Sequence, residues 1–547
     1  MGLEQPVVIA MVGLPARGKS YLVKMLTRYL RWSGFDTKVF NVGSYRREIG
    51  LAGADSSFFD NKNKDANKVR EDLAMKVQTY MYSWLHETTT VVDDITGESY
   101  FDKRRVAIFD ATNTTIARRH ALSDKAREEN VFLLYVESIC NDQAVLNRNY
   151  DMKLQNDDYK GMDPTQARED FLKRVQAYER VYETIVDTEE NGNISYIKLE
   201  NVGEKMITRN CSGYLPSQVA FYLQNVHIQP RKIYLTLVAE CAGAISEVNS
   251  PKSGKLIASC PSPGSETGRT FARRTTSFNS NSGKHSGKHK GEARGDTIML
   301  KSISIDKVGD DIKQQLSTDL NEDDLIENSV DTPLHLLDFL MEERDELLSN
   351  KELTGPAKEI ALLLGNSQIH LDIVTSFKNF SFPCFHTPIL NELRGGSLHG
   401  LTIAEIKELY PEEFQKRQEN KLKYRYPGVG GESYLDVIER VRPIIIELER
   451  QRQNMFLVCH LAVLRCIYAY FMGVDLQDIP FIEFKMNNIY ELSPGPHGCL
   501  CTVIEHKNEE GVDTPFDTPY ASSMDLNATA LCLDMSQEES TSTDNTV

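Results

Sequence analysis

The first part of the chain alternates short apolar runs with longer segments of helical periodicity. The apolar run Val7–Val12 predicts a strand, and the helical pattern after it reaches about Trp32. Further apolar runs lie at Thr37–Val42, Val106–Phe109, Val131–Val136 and Ser195–Leu199, and helical patterns at Lys68–His86, Arg118–Glu129, Thr165–Val186 and Leu215–Gln224. Such alternation predicts a mostly parallel sheet with helices on both faces.

A second α/β segment begins at the apolar run Lys232–Leu235 and is soon interrupted. The stretch from about Asn249 is rich in Ser, Gly and charge, a composition that predicts disorder. Ordered patterning returns at Leu334–Leu348, Ile369–Thr375, a helix from Thr402, Tyr434–Gln451, Met455–Val458 and Ala462–Phe471. We therefore predict a first domain at 1–228, a second at 229–248 and 331–508, a low-complexity insert at 249–330 and a disordered tail at 509–547.

Composition narrows the class of protein. A chain of 547 residues is too long for a single hydrophobic core, so two or three domains are expected. The net charge of −17 argues against broad binding to nucleic acid or anionic membranes. The ten cysteines form no C-x-x-C pair, and neither a signal peptide nor an apolar run of transmembrane length is recognisable. These features predict a cytoplasmic protein.

The segment after the first predicted strand carries the clearest chemical motif. Residues 13–20 read G-L-P-A-R-G-K-S between a strand and a helix, which is the order that a phosphate-binding P-loop requires. Backbone N–H groups of such a loop bind phosphate oxygens, Lys19 reaches the outer phosphates, and Ser20 can ligate Mg²⁺. The motif predicts a nucleoside triphosphate site. The alternative is an ordinary glycine-containing turn followed by a lysine.

Two further sets of charged residues belong to the first domain. Asp110 follows the strand Val106–Phe109, where a carboxylate can hold Mg²⁺ or an acceptor hydroxyl. The alternative is that it caps the next helix. Cations that suit a second phosphate are Arg46, Arg47, Arg70, Arg118, Lys153 and Arg174. Each alone is as readily a surface charge, and composition does not choose among them.

Several ordered motifs closely resemble the 6-phosphofructo-2-kinase/fructose-2,6-bisphosphatase family. They are Gly13–Tyr21, Phe40–Arg47, Asp110–Thr115, Glu137–Cys140, Asp170–Arg174 with Tyr178, and His227–Arg231. The resemblance implies that ATP, with Mg²⁺, phosphorylates the 2-hydroxyl of fructose 6-phosphate to give fructose 2,6-bisphosphate, a regulator of glycolysis. It also implies a homodimer.

The same resemblance implies roles for individual residues of the first domain. Catalytic roles fall to Lys19, Asp110 and Lys153, with Ser20 and Asp110 as Mg²⁺ ligands. Nucleotide contacts are implied for Gly13, Leu14, Pro15, Ala16, Arg17, Gly18, Lys19, Ser20, Tyr21, Cys140 and Asn149. Contacts with the sugar phosphate are implied for Arg46, Arg70, Thr112, Arg118, Arg174 and Tyr178.

The family's second half resembles the histidine phosphatases, in which Arg-His-Gly-Glu follows the first strand. Here Leu237 replaces the arginine and Val238 replaces the nucleophilic histidine, and an isopropyl group cannot accept a phosphoryl group. Asn379 stands where the family usually has another arginine. The rest of the implied pocket remains as Glu392, Tyr410, Arg417, Lys421, Tyr434, His460 and Arg465.

We therefore predict an α/β protein with an N-terminal P-loop kinase domain and a C-terminal histidine-phosphatase-like domain that is inactive. The alternatives are residual hydrolysis through Glu392 and His460, a non-catalytic nucleotide-binding scaffold, and a P-loop kinase for another acceptor. In the insert, residues 273–277 read R-R-T-T-S and predict a target of a basophilic protein kinase, with an unmodified linker as the alternative.

Overall fold

A computed structural model describes residues 5–60, 62–87, 90–92, 99–101, 105–237, 331–351, 353–377, 382–485, 488–495 and 498–504. The predicted insert at 249–330 with its R-R-T-T-S motif, and the predicted tail at 509–547, lie outside these residues. Val238 and Asn379 lie outside them as well. Among the helices of the described part, none is both long enough and apolar enough to cross a membrane.

The first half is built around one six-stranded sheet. Its strands and the small hairpin beside them are β1 (Val7–Val12), β2 (Asp36–Asn41), β3 (Thr90–Val92), β4 (Ser99–Phe101), β5 (Arg105–Asp110), β6 (Phe132–Ile139), β7 (Tyr196–Glu200) and β8 (Lys205–Arg209). Its helices are α1 (Lys19–Trp32), α2 (Val42–Arg46), α3 (Lys64–His86), α4 (Ile116–Glu128), α5 (Gln143–Lys153), α6 (Pro164–Glu179) and α7 (Tyr214–Asn225).

The order of strands in this sheet is β2-β5-β1-β6-β7-β8, and all neighbours are parallel except β7 and β8. Alternate residues of β1 enter two separate apolar clusters, Ile9 with α1 and Ala10 with α3. Both faces of the sheet are thus covered, as predicted. The chain leaves β1 toward β2 on one side and reaches β6 on the other, so the P-loop lies at a topological switch point.

The second half has its own six-stranded sheet. Its strands are β9 (Ile233–Leu237), β10 (Ile360–Leu364), β11 (Cys384–His386), β12 (Asn454–Cys459), β13 (Ile489–Gly495) and β14 (Gly498–Ile504). Its helices are α8 (Asp331–Ser349), α9 (Gln368–Phe377), α10 (Ile403–Leu409), α11 (Pro411–Glu419), α12 (Tyr434–Arg450) and α13 (Leu461–Met472). The order is β11-β10-β12-β9-β13-β14, parallel from β11 to β9 and antiparallel beyond.

The sequence pattern predicted order around residue 370 without assigning a helix or a strand to it. The run Ile369–Thr375 lies within helix α9, because Ile373 and Phe377, four residues apart, are both buried on one helix face. The strand of this region is β10, which is buried throughout and precedes the helix. The helix predicted to reach Val186 ends earlier, at Glu179.

The two halves share one hydrophobic core. A single cluster of buried side chains includes Leu26 of α1, Tyr222 of α7, Val441 of α12 and Ile467 of α13. The helix that follows the P-loop is therefore packed between the first sheet and the helices of the second half.

Candidate active site

The P-loop is held in a conformation that an ordinary turn does not need. Gly13 has φ +136°, and a Cβ on it would lie 2.5 Å from the carbonyl oxygen of Ser138 on β6. Gly18, which precedes α1, has φ +87°, so both glycines occupy backbone regions that other residues rarely adopt. Asn149 Nδ2 donates to the Ala16 carbonyl at 2.9 Å, and Ser138 Oγ donates to the Arg17 carbonyl at 2.5 Å. Neighbouring elements thus fix the shape of the loop.

Lys19, the first residue of α1, folds back over the P-loop. Its Nζ donates to the carbonyl oxygens of Gly13 at 2.8 Å and Leu14 at 2.6 Å, and its side chain is buried. Burial lowers the pKa of Lys19 to about 7, although Asp110 opposes the shift. Two carbonyl dipoles are weak partners for an ammonium group, so the site is poised for stronger anionic partners.

Asp110, the last residue of β5, lies beside that lysine. It is buried, and burial raises its pKa in spite of the charges of Lys19 and Lys153. Asn41 at the end of β2 donates from Nδ2 to Asp110 Oδ2 at 2.5 Å, which fixes the carboxylate. The neighbouring strand ends of a parallel sheet thereby bring an amide and a carboxylate to the loop.

Lys153, the last residue of α5, completes this group. Its Nζ donates to Ser20 Oγ at 3.4 Å, and burial lowers its pKa. Lys19, Ser20, Asp110 and Lys153 thus meet at the carboxyl edge of the first sheet. A hydroxyl and a carboxylate are hard oxygen ligands that suit Mg²⁺, and two lysines suit phosphate oxygens.

The predicted sugar-phosphate residues form an adjacent cationic group. Arg174 places its guanidinium carbon 3.7 Å from the centre of the Phe59 ring, and its buried Nε finds no hydrogen-bond acceptor among the described residues. The charge of Arg174 also lowers the pKa of both Lys19 and Lys153. The cationic group and the P-loop lysines are therefore within electrostatic reach of each other.

The pKa of Tyr178 indicates a positive electrostatic potential around these arginines. Burial alone would raise the pKa of its phenol, but Arg174, Arg70 and Arg118 outweigh burial and lower it. The Arg70 guanidinium carbon lies 5.9 Å from the Tyr178 ring centre. A phenol whose anionic form is favoured marks a region of positive potential, which would attract an anionic group on a second substrate.

The buried carboxylate of Asp158 binds Arg46 and Arg174, and the sequence did not indicate it. Asp158, with a side chain 3% exposed, accepts from Arg46 NH2 at 2.7 and 2.6 Å and from Arg174 NH1 at 3.4 Å. The backbone N–H of Gly53 donates to it at 3.3 Å, and Arg47 lies 3.8 Å away. In the sequence, Asp158 stands five residues after Lys153 in a polar segment that looks like an ordinary loop.

The other predicted residues of the first half surround the loop. The Thr112 carbonyl accepts from Gly13 N–H at 3.0 Å, and burial raises the pKa of the Cys140 thiol beyond β6. Arg17 donates to Glu179 at 3.0 Å. The Tyr21 hydroxyl donates to the His227 carbonyl at 2.9 Å, on the connection between the halves. Pro15 lies half-buried in the loop.

In the second half, the carboxyl edge of the sheet carries a chain of neutral polar groups. His370 Nε2 donates to the Val458 carbonyl at 3.0 Å, which leaves His370 Nδ1 to accept from Ser367 Oγ at 2.7 Å. Ser367 Oγ also lies 3.2 Å from His460 Nε2, and the buried His460 Nδ1 has no partner among the described residues. Burial lowers the pKa of both histidines to about 4. Both are therefore uncharged at neutral pH.

Three predicted cations of the second half form a group of their own. Arg465 NH1 donates to Tyr434 OH at 2.7 Å, and Arg417 Nε donates to Tyr426 OH at 2.9 Å. Lys421 Nζ donates to the Pro480 carbonyl at 2.9 Å, and burial together with Arg465 and Arg417 lowers its pKa to about 7. The structure thus brings together three of the predicted pocket cations.

Two further predicted pocket residues, Tyr410 and Glu392, are less buried, although the charge of Glu392 acts on Tyr426 and Tyr434. Tyr410 is 45% exposed between α10 and α11. Glu392 is half-buried after a short turn, and its Oε1 accepts from the N–H of Leu393 at 2.6 Å. The described part of β9 ends at Leu237, which is buried, directly before the predicted nucleophile position.

A P-loop that meets a buried aspartate and lysine, beside a group of arginines, is typical of a nucleotide-dependent phosphotransferase. The family model for 6-phosphofructo-2-kinase matches residues 2–230, and that for histidine phosphatase superfamily branch 1 matches residues 374–507. The chain belongs to the 6-phosphofructo-2-kinase/fructose-2,6-bisphosphatase family.

Three curated relatives illustrate this membership. A probable 6-phosphofructo-2-kinase of Schizosaccharomyces pombe is 35% identical over 90% of this chain and 69% of its own length. The bifunctionally named 6-phosphofructo-2-kinase/fructose-2,6-bisphosphatase of Caenorhabditis elegans is 34% identical over 92% of this chain and 90% of its own length. The 6-phosphofructo-2-kinase 1 of Saccharomyces cerevisiae is 34% identical over 95% of this chain and 54% of its own length. The names confirm the kinase class, and they differ over the second half.

Proposed function

We propose that the first half transfers the γ-phosphoryl group of ATP to the 2-hydroxyl of fructose 6-phosphate, and that the second half does not reverse the step. The acceptor oxygen forms a bond to the γ-phosphorus while the bond to the β–γ bridging oxygen breaks. ADP and fructose 2,6-bisphosphate leave, and the hydroxyl proton is released. The transition state of such a transfer needs positioned charge more than covalent catalysis.

The observation that carries the proposal is the convergence of Lys19, Asp110 and Lys153 within reach of Arg174. Triphosphate oxygens would replace the Gly13 and Leu14 carbonyls as partners of Lys19 and favour its charged form. Asp110, whose pKa is raised by burial, can hold the acceptor hydroxyl and take its proton.

The arginine group would bind the phosphate that fructose 6-phosphate already carries. Arg174 has a buried Nε without an acceptor in the described structure, and Arg70, Arg118 and Tyr178 surround the same positive region. Guanidinium forks match the geometry of phosphate oxygens. Binding at this remote group would orient the sugar hydroxyl toward the P-loop.

The residues present fit a Mg²⁺ ion. The Ser20 hydroxyl and the Asp110 carboxylate are oxygen ligands at the phosphate end of the P-loop, and Lys153 Nζ contacts the same hydroxyl at 3.4 Å. When bound, Mg²⁺ would neutralise part of the phosphate charge.

For the second half we propose a folded domain without phosphatase chemistry. Val238 offers no nucleophile, and His370 and His460 stay neutral because burial lowers the pKa of each to about 4. Neutral imidazoles stabilise a transferring phosphoryl group poorly compared with the charged groups such chemistry uses. We also propose that Arg417, Lys421 and Arg465 are what remains of a sugar-phosphate pocket.

The kinase activity is tested by identifying the product that receives the labelled phosphate. Purified protein with Mg²⁺ and γ-labelled ATP is offered fructose 6-phosphate or, in parallel, a nucleoside monophosphate. Label in an acid-labile sugar diphosphate, and none in a nucleotide product, is expected. Label in a nucleotide product instead would reject the proposed acceptor.

Trapping of a phosphohistidine intermediate tests whether the second half has phosphatase activity. The protein is incubated with fructose 2,6-bisphosphate labelled at the 2-phosphate, quenched in alkali and examined for phosphohistidine. We expect no labelled protein. A stoichiometric phosphohistidine would show that another histidine, such as His460, has taken the role of nucleophile.

A further inference from the structure

The helix that carries the P-loop lysine is anchored along its length to the second half. α1 begins at Lys19, and its later residues Arg28 and Trp32 contact α12 and α13. Trp32 Nε1 donates to the Cys466 carbonyl of α13 at 2.9 Å, and both residues are buried. The distance along the helix from Lys19 to Arg28 is about 14 Å at 1.5 Å per residue, so the two ends belong to one rigid rod.

One carboxylate gathers the charges at this junction. Glu449 of α12 is 1% exposed and accepts from Arg28 NH2 at 2.6 Å, from Arg231 NH2 at 2.8 Å and from Tyr470 OH at 2.7 Å. Arg231 precedes β9 on the connection between the halves, and Tyr470 lies on α13. Four segments of chain therefore meet at a single buried side chain.

Hydroxyl groups extend this network back into the first half. Tyr222 OH lies 2.9 Å from Tyr470 OH and donates to the Met25 carbonyl of α1 at 3.3 Å. The Arg28 guanidinium carbon lies 4.5 Å from the Tyr470 ring centre. Burial makes each unpaired charge costly, so the network tolerates only a narrow range of α1 positions.

We propose that Glu449 is a positioning residue for the kinase site: through Arg28 it fixes the long axis of α1, and thereby places Lys19 and the P-loop under the nucleotide phosphates. This inference rests on the proposed nucleotide site of the first half. It assigns to the second half a task in catalysis that requires no phosphatase chemistry. This positioning of α1 by the second half depends on the buried contacts between the two halves.

The test uses the full chain with Glu449→Gln, which keeps the shape of the side chain and removes its charge. Arg28 and Arg231, which are 12% and 3% exposed, then lack their counter-charge, and α1 is free to shift. We expect the dissociation constant for ATP alone to rise about tenfold, with the Michaelis constant for fructose 6-phosphate changed less than about twofold. Calorimetry with ATP and initial-rate kinetics supply the two values.

A gentler variant keeps the test decisive if Glu449→Gln does not fold. Tyr470→Phe removes one hydrogen bond to Glu449 and leaves all three charges in place. We expect ATP affinity to fall about threefold. The matched control is Arg450→Gln on the same helix, which breaks an ion pair with Glu447 whose arginine is 54% exposed. It should leave ATP affinity within about twofold of the wild type.

Loss of stability alone would not support the proposal. If the folded Glu449→Gln and Tyr470→Phe proteins melt at lower temperature but bind ATP as tightly as the wild type, Glu449 only stabilises the junction and the inference is wrong. Binding of ATP is measured without the sugar. A wild type that binds ATP but does not phosphorylate fructose 6-phosphate would thus reject the proposed function and leave this inference open to its own test.

Discussion

The two halves of the molecule place polar groups at the same point of similar sheets, and they differ in charge. At the carboxyl edge of the first sheet, the amino groups of Lys19 and Lys153 lie within electrostatic reach of the Asp110 carboxylate. At the carboxyl edge of the second sheet, His370 and His460 share the hydroxyl of Ser367 and carry no charge at neutral pH. In the proposed function, only the first edge carries out phosphate chemistry.

The difference shows what a fold supplies and what it leaves to side chains. Each parallel sheet positions residues at adjacent strand ends, which is a property of the architecture. The chemistry depends on the few side chains found there. The second half has its own sheet and contacts α1, and these contacts would give it a structural value even without catalysis.

Removal of the P-loop lysine should reduce the kinase activity more than any other change. Lys19→Met deletes the cation that faces the outer phosphates, and the rate of fructose 2,6-bisphosphate formation should fall by about 10²–10³. Lys125 on α4 has a side chain that is 45% exposed, so Lys125→Met is the control and should keep wild-type rates. Equal activity of wild type and Lys19→Met would leave a scaffold, or a different catalytic site, as the better account.

Asp158→Asn should have the next largest effect. The carboxylate holds Arg46 and Arg174 in place, so its loss should raise the Michaelis constant for fructose 6-phosphate about tenfold and leave that for ATP nearly unchanged. Asp151→Asn is the control, because its ion pair with Arg168 is exposed. A larger change in the constant for ATP than for the sugar would place Asp158 in the wrong subsite.

Nucleotide binding should take up a proton in the first half. The pKa of Lys19 in the free protein is about 7, so at pH 8 the side chain is mostly neutral. Triphosphate favours the charged form, and uptake should approach about one proton at pH 8 and vanish near pH 6, where Lys19 is already charged. Calorimetry of ATP binding in buffers of different ionisation enthalpy measures this number.

The lysine variants assign that proton. Lys125→Met should retain the uptake at pH 8 and Lys19→Met should lose it. Identical uptake in both variants would show that another group titrates.

Acid should destabilise the second half through its histidines. The pKa of His460 is lowered from 6.5 to about 4 in the fold, so between these values the unfolded chain binds more protons and stability falls as pH decreases. This contribution amounts to about 2 kcal/mol between pH 7 and pH 5. His460→Asn should therefore show a smaller fall in melting temperature across that range, by a few degrees.

The exposed His399 supplies the control for this experiment. His399→Asn should keep the wild-type slope of melting temperature against pH. A wild-type slope in His460→Asn would mean that His460 is not held neutral by the fold.

Local patterns predicted the framework of the first half because they act within a few residues. The apolar run before G-L-P-A-R-G-K-S and the periodic segment after it are sufficient to define β1, the loop and α1. The strand-end position of Asp110 follows from the same reasoning. The kinase family could therefore be identified from ordered motifs before any tertiary contact was known.

Long-range contacts could not be predicted in this way. Glu449 lies in an amphipathic helix pattern that gives no sign of its pairing with Arg28, 421 residues away. Asp158 looks like a loop residue until the fold brings Arg46 and Arg174 to it. The apolar segment near residue 370 was ambiguous, because a short apolar run suits a strand and a buried helix face equally.

The proposed function runs in one direction: the chain makes fructose 2,6-bisphosphate and does not hydrolyse it. The most direct measurement follows that product after the protein has formed it from ATP and fructose 6-phosphate and the remaining ATP has been removed enzymatically. We expect the product concentration to stay constant over hours, as it does without protein. A steady loss of product with release of inorganic phosphate and return of fructose 6-phosphate would contradict it.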